Sequence, residues 1–356
     1  MKMKKLLSAA LAAAMVLSLA ACGKKDQPAQ SGSQSTSQST SQSASSQQAD
    51  FSDVTIRAAA MNGPTGMGMA LLADRAQNSD LSYQCSVTFS GSPDDVRAGL
   101  LSGELDIAAV PVNMAAALYN MTGGESLLYD KSGGEILTVA ANTLGVLYIV
   151  EKGDTVQSMA DLAGKKILAA GQGSTPEYVI NYLLEKNGLT DSVQVEYVSE
   201  HAEAVTQMAA GGADLILVPE PFVTTALSKV EGARVALDLT QEWGKVSDAD
   251  MVMGCLVVSK TFAQEHPDAL DAFMDDYAAS ADYCTGHTAE AAALIEKFGI
   301  MGSAALAEKA IPNCNIVCVT GQEMADMVTG MLTVLFDANP KSVGGSLPGE
   351  EMFYLG

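Results

Sequence analysis

The stretches SGELDIAAVP at 102–111 and AGGADLILVP at 210–219 are the most informative part of this chain, because they repeat one pattern 108 residues apart. In both stretches, a glycine-containing turn with an aspartate leads into an apolar run that ends in Val-Pro. The same offset aligns Gly63 with Gly171 in two glycine-rich loops. A constant offset in several segments predicts two related structural units.

The segments around these stretches alternate between strand-like and helix-like patterns. Each unit reads as strand, glycine-rich loop, helix, strand, loop, helix and buried strand, which is typical of an α/β protein. In open parallel sheets, ligands bind beyond the carboxyl ends of the strands. We therefore expect two parallel-sheet lobes that face one cleft, with two hinge crossings at 140–148 and 250–256. The predicted first lobe is 51–142 with 252–356, and the second is 146–248.

The N-terminus has the pattern of a bacterial lipoprotein signal. Lysines precede an uncharged run at 6–21, which is shorter than a membrane-spanning helix and ends in small residues. LAACG at 19–23 predicts a signal peptide over 1–21 and lipid attachment at Cys22. An ordinary secretory signal with a chance cysteine is the alternative.

Residues 22–50 are predicted to form a disordered tether. The part from 24 to 50 contains nine Ser and seven Gln and no large apolar side chain, so it cannot bury enough surface to fold. We expect the folded part to be held by its lipid at the extracytoplasmic face of the bacterial cell membrane.

The charge and the cysteine count exclude several classes of partner. The chain has 42 Asp and Glu against 20 Lys and Arg, a formal net charge of −22, so nucleic acid and anionic lipid are poor partners. Five cysteines follow Cys22, and neither they nor the three histidines have the spacing of a metal site or a disulfide framework. We expect the five to be small buried hydrophobes, and we expect no metal and no cofactor.

Two loops of the first lobe are candidates for ligand contact. MNGPTGMG at 61–68 follows a strand and opens a helix predicted from about Met67, so its free N–H groups should face the cleft. SGSPD at 90–94 combines hydroxyls, a proline and an acid. A tight turn and a plain helix cap are the structural alternatives. The candidates in these loops are Asn62, Gly63, Thr65, Gly66 and Ser90.

The second lobe and the ends of the buried strands supply the other candidates. GQGSTPE at 171–177 has a capping hydroxyl, a proline at the helix start and one donor more than capping requires. A polar residue, Asn113 or Glu220, lies near the end of each strand that ends in Val-Pro. The aromatic side chains of Tyr148 and Phe222 would contact a planar ligand, unless they belong to the core. These candidates are Asn113, Tyr148, Ser174, Thr175, Glu220 and Phe222.

The arginines are absent from all of these loops. Only Arg57, Arg75, Arg97 and Arg234 lie in the folded part, so no bidentate clamp for a carboxylate or phosphate is visible. This favours a neutral, zwitterionic or weakly charged small molecule.

These segments together resemble solute-binding lipoproteins of bacterial ABC importers, in the cluster that handles nitrate, sulfonates, taurine and thiamine pyrimidine precursors. The resemblance covers nearly all of 51–356. It is carried by GPTGMG at 63–68, GELDIA at 103–108, GQGST at 171–175, EP at 220–221, HPD at 266–268 and GGSLP at 344–348.

The resemblance implies a fold and a function. The fold would be a two-lobed periplasmic-binding-protein-like type II fold, an α/β architecture that closes on a ligand. The function would be capture of a small organic molecule and delivery to a permease driven by a cytoplasmic ATPase, by a monomer without enzymatic activity. A surface enzyme or a ligand-sensing module on the same scaffold remains the alternative, although no histidine is expected in the cleft and no cysteine cluster is present.

Overall fold

The structure, a computed structural model, describes residues 51–123 and 135–356, which fall within one compact unit, Gln48–Gly356. The strands of the described ranges are β1 (Phe51–Met61), β2 (Tyr83–Ser90), β3 (Ile107–Pro111), β4 (Ile136–Thr143), β5 (Leu147–Lys152), β6 (Lys166–Ala170), β7 (Gln194–Val198), β8 (Leu215–Pro219), β9 (Ala233–Asp238), β10 (Gly254–Ser259) and β11 (Ile316–Val319). The predicted signal peptide, the tether and Cys22 lie outside the described residues.

Helices surround these strands. They are α1 (Pro64–Met67), α2 (Ala70–Gln77), α3 (Pro93–Ser102), α4 (Val112–Thr122), α5 (Thr175–Lys186), α6 (His201–Ala209), α7 (Phe222–Lys229), α8 (Leu239–Trp243), α9 (Lys260–Glu265), α10 (Pro267–Gly286), α11 (Thr288–Lys297), α12 (Ala304–Ala310) and α13 (Gly321–Ala338). Short 3-10 turns occupy Met159–Leu162, Ile311–Asn313, Pro340–Val343 and Glu350–Met352.

The strands form two sheets, one in each lobe. The first sheet has the order β11-β4-β10-β3-β1-β2, and the second has the order β7-β6-β8-β5-β9. The prediction of parallel sheets is correct only for β2-β1-β3 and β7-β6-β8, because the other pairs are antiparallel. The chain leaves the first lobe after β4 and returns to it at β10, which runs antiparallel to β3 and β4. The second sheet is formed by one continuous segment, in which β5 runs antiparallel to β8 and β9.

The internal repeat is confirmed by the strand order, with one correction to its offset. Met61 pairs with Ser90 in the first sheet, and Ala170 pairs with Val198 in the second. The first strand of the unit therefore repeats after 109 residues and the second after 108. The second unit is one residue shorter between these strands, where it has the single helix α5 in place of α1 and α2. The offset of 108 therefore holds for the second strand of the unit, and the first strand departs from it by one residue.

Two crossings connect the sheets. β4 passes to β5 through residues 144–146, and α8 leads to β10 through residues 244–253. The first crossing is closely packed, because a Cβ added to Gly145 would lie 2.1 Å from the Thr240 hydroxyl oxygen. The crossings lie where the sequence placed the hinges, and the residue limits of the two lobes stay a prediction.

The core follows from alternation along the strands. In β1, Ile56, Ala58 and Ala60 face one buried cluster, whereas Ala59 faces another. Successive side chains of a strand point to opposite faces, so a run that is apolar at nearly every position predicts a sheet covered on both sides. Helices on both faces of the first sheet provide that cover.

The cysteines after Cys22 are free thiols in the structure. Cys255, Cys284 and Cys314 are buried, which confirms the expectation of small hydrophobes for these three, whereas Cys85 and Cys318 are half-buried. Burial raises the pKa of Cys85 to about 12 and that of Cys318 to about 11, so both are protonated at neutral pH. No helix of the described ranges has the length and apolarity to cross a membrane.

Candidate functional site

Glu220 is a buried carboxylate at the carboxyl end of β8, and it is only 2% exposed. Its two oxygens accept hydrogen bonds from the backbone N–H and the hydroxyl of Thr224, both at 3.1 Å. Burial raises the pKa of this carboxyl, although hydrogen bonds from Thr224 and the Asn313 side chain act in the opposite direction. The described ion pairs include none to Glu220. A buried carboxylate with spare acceptor capacity is therefore present where the sequence predicted a ligand contact.

Tyr148 lies beside Glu220, because β5 and β8 are neighbouring strands. Its hydroxyl donates to the backbone carbonyl of Asn313 at 3.4 Å. Burial raises the pKa of Tyr148, with a smaller effect from Asp238 and Glu220, so the phenol stays neutral. Asn313 ends the 3-10 turn after α12 in the first lobe. The contacts of Tyr148 and Glu220 with Asn313 therefore connect the two lobes.

A cavity of about 530 Å³ opens at this connection. Its most buried residues are Tyr148, Glu220, Val223 and Thr224 in the second lobe. The first lobe contributes Lys309 and Asn313, and the remaining lining residues are Leu227, Ser228, Val235, Asp238 and Gln241. Its volume lies in the range of small-molecule pockets, and two lobes supply its walls.

Asn113 and Thr175 form a second contact between the lobes. The Thr175 hydroxyl donates to the Asn113 side-chain oxygen at 3.2 Å, and Thr175 is 2% exposed. Ser174 instead turns inward within its loop, because its hydroxyl donates to the Gly171 carbonyl at 2.6 Å and makes no capping bond. Of Ser174 and Thr175, the residue with a hydroxyl beyond the needs of the loop is thus Thr175, and this hydroxyl forms the hydrogen bond to Asn113 of the first lobe.

The first glycine loop differs from its prediction. The helix expected from about Met67 is split, and α1 begins at Pro64 and has only four residues. The carbonyl of Gly63 accepts from the N–H groups of Gly66 and Met67 at 3.0 Å, so these groups are closed within the turn. A Cβ on Gly66 would lie 2.5 Å from the Met61 carbonyl oxygen, so this glycine is required by the turn itself.

The remaining polar candidates of the first lobe also have local partners. The Asn62 N–H donates to the Ser90 carbonyl at 2.9 Å, and the Ser90 hydroxyl accepts from the Ser92 N–H at 3.0 Å. The Thr65 carbonyl accepts from the Asn142 side chain at 3.3 Å. None of Asn62, Thr65 and Ser90 lines the cavity beside Glu220.

Phe222 packs at a tilt against the ring of His201, which the sequence interpretation did not include among the site residues. The rings of Phe222 and His201 lie 5.3 Å apart, and His201 Nδ1 is buried without a hydrogen-bond partner in the part of the chain that the structure describes. Burial lowers the pKa of His201 to about 4, so the ring is neutral at neutral pH. His201 begins α6 after β7, at the same edge of the sheet as Glu220, but it does not line the cavity, so the absence of a histidine from the cleft stays a prediction. The offset of 108 would have indicated the place of His201, since it maps His201 onto Pro93 at the start of α3.

The arginines are committed to ion pairs elsewhere in the fold. Arg57 pairs with Asp106 at 2.5 Å, Arg97 with Asp94 at 2.7 Å and Arg234 with Glu151 at 2.6 Å. Arg75 pairs with Asp276. None of the four lines the cavity, which agrees with the sequence pattern. Within 51–123 and 135–356, no group of three or more metal-ligating side chains has the geometry to hold an ion.

Comparison with known proteins decides the family. The model of the NMT1-like family matches residues 74–298, more than half of the chain. The chain belongs to the NMT1-like family. No curated protein matches the sequence.

Solved structures share the fold of this NMT1-like protein. An ABC transporter protein from Parabacteroides distasonis is 25% identical with a TM-score of 0.69, over 84% of this chain and 98% of that one. The periplasmic aliphatic sulphonate binding protein SsuA from Escherichia coli is 17% identical with a TM-score of 0.64, over 82% and 95%. The periplasmic nitrate-binding protein NrtA from Synechocystis PCC 6803 is 14% identical with a TM-score of 0.55, over 84% and 83%. The resemblance and the two-lobed type II fold inferred from sequence are thereby confirmed.

Proposed function

We propose that this NMT1-like protein binds a small organic solute between its lobes and delivers it to an ABC importer permease. The observation that supports this most is the cavity of about 530 Å³, where the second lobe supplies Glu220 and Tyr148 and the first lobe supplies Asn313. The family, and structural neighbours known as periplasmic sulphonate- and nitrate-binding proteins, support a solute-binding role.

Binding would act on the protein through a population shift. A ligand that contacts both lobes binds the closed arrangement more tightly than an open one, so it increases the closed population. The permease would recognise the closed arrangement, and no covalent bond of the solute would be made or broken. We expect the protein to act as a monomer.

The proposed ligand contacts fall into two groups. Tyr148 and Glu220 line the cavity, and Asn113 and Thr175 bridge the lobes at a second place. We retain Asn62, Gly63, Thr65, Gly66, Ser90, Ser174 and Phe222 as proposed contacts of the open cleft, where their loops would face a ligand before closure.

We also propose that the protein is tethered to the extracytoplasmic face of the membrane through Cys22. The support for this comes from the LAACG pattern at 19–23 and the Ser/Gln-rich residues that follow. Cys22→Ala is expected to prevent lipid attachment, which membrane fractionation and intact-mass measurement would detect. An unchanged mass and an unchanged membrane fraction in the variant would contradict the anchor.

Native mass spectrometry tests the solute-binding role. We expect the protein purified without refolding to carry a small molecule that denaturation releases with an unchanged mass. If the bound molecule changes its mass on incubation with the protein, the protein is an enzyme and the proposal fails. Glu220→Gln should lose this molecule, whereas Glu151→Gln should keep it when folded, because Glu151 is equally buried but lies away from the cavity.

A further inference from the structure

We propose that the cavity beside Glu220 selects an organic amine with an apolar body, in contrast to the sulphonate and nitrate named for the structural neighbours. This inference rests on the proposed function, because it assumes that the solute occupies this cavity. It names the chemical class of the solute from the atoms that the cavity presents.

The buried end of the cavity presents hydrogen-bond acceptors. The Glu220 carboxylate has about four acceptor positions, and the described donors are two groups of Thr224 and the Asn313 side chain. The Tyr148 hydroxyl already donates its proton to the Asn313 carbonyl, and the Thr224 hydroxyl donates to Glu220, so their free lone pairs accept. A head group rich in N–H donors fits these atoms, whereas a sulphonate brings only acceptors.

The charges around the cavity favour the same head group. Glu220 and Asp238 are the carboxylates that line it, and Lys309 is its cation. Lys309 is exposed at the mouth, so water screens its charge more than that of the buried Glu220. The Asp238 carboxylate accepts from the N–H groups of Thr240 and Gln241, and so caps α8. The buried Glu220 carboxylate would therefore repel an anionic head group and attract a cationic one.

The outer wall of the cavity is apolar. Leu227 is 42% exposed and Val235 is 37% exposed, and both line the cavity together with the buried Val223. Four large apolar side chains are exposed in the described part of the chain, and these are two of them. Adjacent exposed apolar side chains at the mouth of a polar pocket are typical of a surface that a ligand covers. An apolar body attached to the amine would remove them from water.

Three probes with one apolar body separate the head groups. Butylamine, butanol and butanesulfonate are titrated into the compact unit Gln48–Gly356, which contains both lobes and their core, and binding is followed by ligand-observed NMR. We expect butylamine to bind about tenfold or more tightly than butanesulfonate. In Glu220→Gln this preference should fall below about threefold, while the affinity for butanol changes by less than about twofold.

A matched pair of variants tests the apolar wall. Leu227→Ser should weaken all three probes by a similar factor, whereas Leu347→Ser, at an exposed leucine outside the cavity, should change none of them. Butanesulfonate that binds as tightly as butylamine would overturn the amine class, and so would the absence of binding by all three probes. A solute that co-purifies and is lost in Tyr148→Phe would still support the proposed function, so the two failures are distinguishable.

Discussion

Two buried glutamates lie at opposite ends of the strand pair β5 and β8. Glu151 pairs with Leu215 at one end, and Glu220 follows Pro219 at the other. Their exposures are 3% and 2%, and each lines a cavity, of about 490 Å³ for Glu151 and about 530 Å³ for Glu220. Burial and cavity size therefore do not distinguish a structural carboxylate from a ligand-binding one.

Their partners do distinguish them. Glu151 accepts from the backbone N–H and the hydroxyl of Thr155, from the Val156 N–H at 3.2 Å and from Arg234 at 2.6 Å. Burial raises its pKa, but these hydrogen bonds and the Arg234 charge outweigh burial, so the pKa of Glu151 is lowered. Glu220 has no arginine, and its pKa is raised. The cavity of Glu151 also lies within one lobe, whereas both lobes line that of Glu220.

The largest effect on stability is expected at Glu151. Glu151→Gln should lower the free energy of unfolding by about 2 to 3 kcal/mol, because it removes the buried carboxylate that pairs with the half-buried Arg234. Urea unfolding at neutral pH measures this. The control is Asp154→Asn, because Asp154 contacts the same arginine at 3.3 Å but is 83% exposed. Its cost should stay below about 0.5 kcal/mol, and equal costs for the two variants would remove the distinction.

The second effect is on binding rather than on stability. Glu220→Gln should weaken the affinity for the co-purified solute by about tenfold or more, about 1.4 kcal/mol, while the free energy of unfolding changes by less than about 1 kcal/mol. The amide oxygen still accepts from Thr224, which keeps α7 capped. Calorimetric titration of the stripped protein measures the affinity. An unchanged affinity would remove Glu220 from the site.

The third effect is the pH dependence of stability, which should have opposite signs at the two glutamates. The folded-state pKa of Glu151 is lowered, so its contribution is present above its ordinary pKa and is lost as the pH falls through the folded pKa. The folded-state pKa of Glu220 is raised, so its ionisation costs stability as the pH rises from the ordinary pKa through the folded one.

Unfolding curves of the wild type and both glutamine variants from about pH 2.5 to about pH 8 would resolve this difference, because the Glu151 effect falls below its ordinary pKa and the Glu220 effect above it. The wild type should gain stability over Glu151→Gln as the pH rises, and should lose it relative to Glu220→Gln. The same slope in both comparisons would show that the two environments do not differ.

The smallest effect is expected at the other contact between the lobes. Thr175→Val removes the hydrogen bond to Asn113 and should lower the free energy of unfolding by about 0.5 to 1 kcal/mol. Thr175→Ser keeps the hydroxyl and serves as the control in the same urea experiment. If the valine variant is as stable as the wild type, the hydrogen bond to Asn113 contributes nothing to the free energy of unfolding.

Much of this architecture was predictable from local patterns. The Asp and Pro positions at 102–111 and 210–219 recur because each turn enters a buried strand of the same kind. The polar residue after the second Val-Pro, Glu220, was predictable for the same reason, since a strand end at the cleft is a fixed place in the unit. Arg234 was also correctly excluded from the cleft.

Other features depend on contacts that no local pattern encodes. Asn313 lies in the C-terminal segment outside the repeat, so nothing in the sequence relates it to Tyr148. The antiparallel pairs of β10 with β3 and β4 join segments that are far apart in the sequence, and the need for glycine at Gly66 arises from its close approach to the Met61 carbonyl.

Hydrogen exchange of the purified protein, before and after removal of its co-purified solute, tests most directly which end of the second lobe binds the ligand. We expect the solute to slow exchange at residues 146–148, 220–224 and 311–315, around Glu220 and Asn313, and to leave 151–166 unchanged. Slower exchange confined to 151–166 and 212–215, around Glu151, would place the ligand in the other cavity and contradict a site between the lobes.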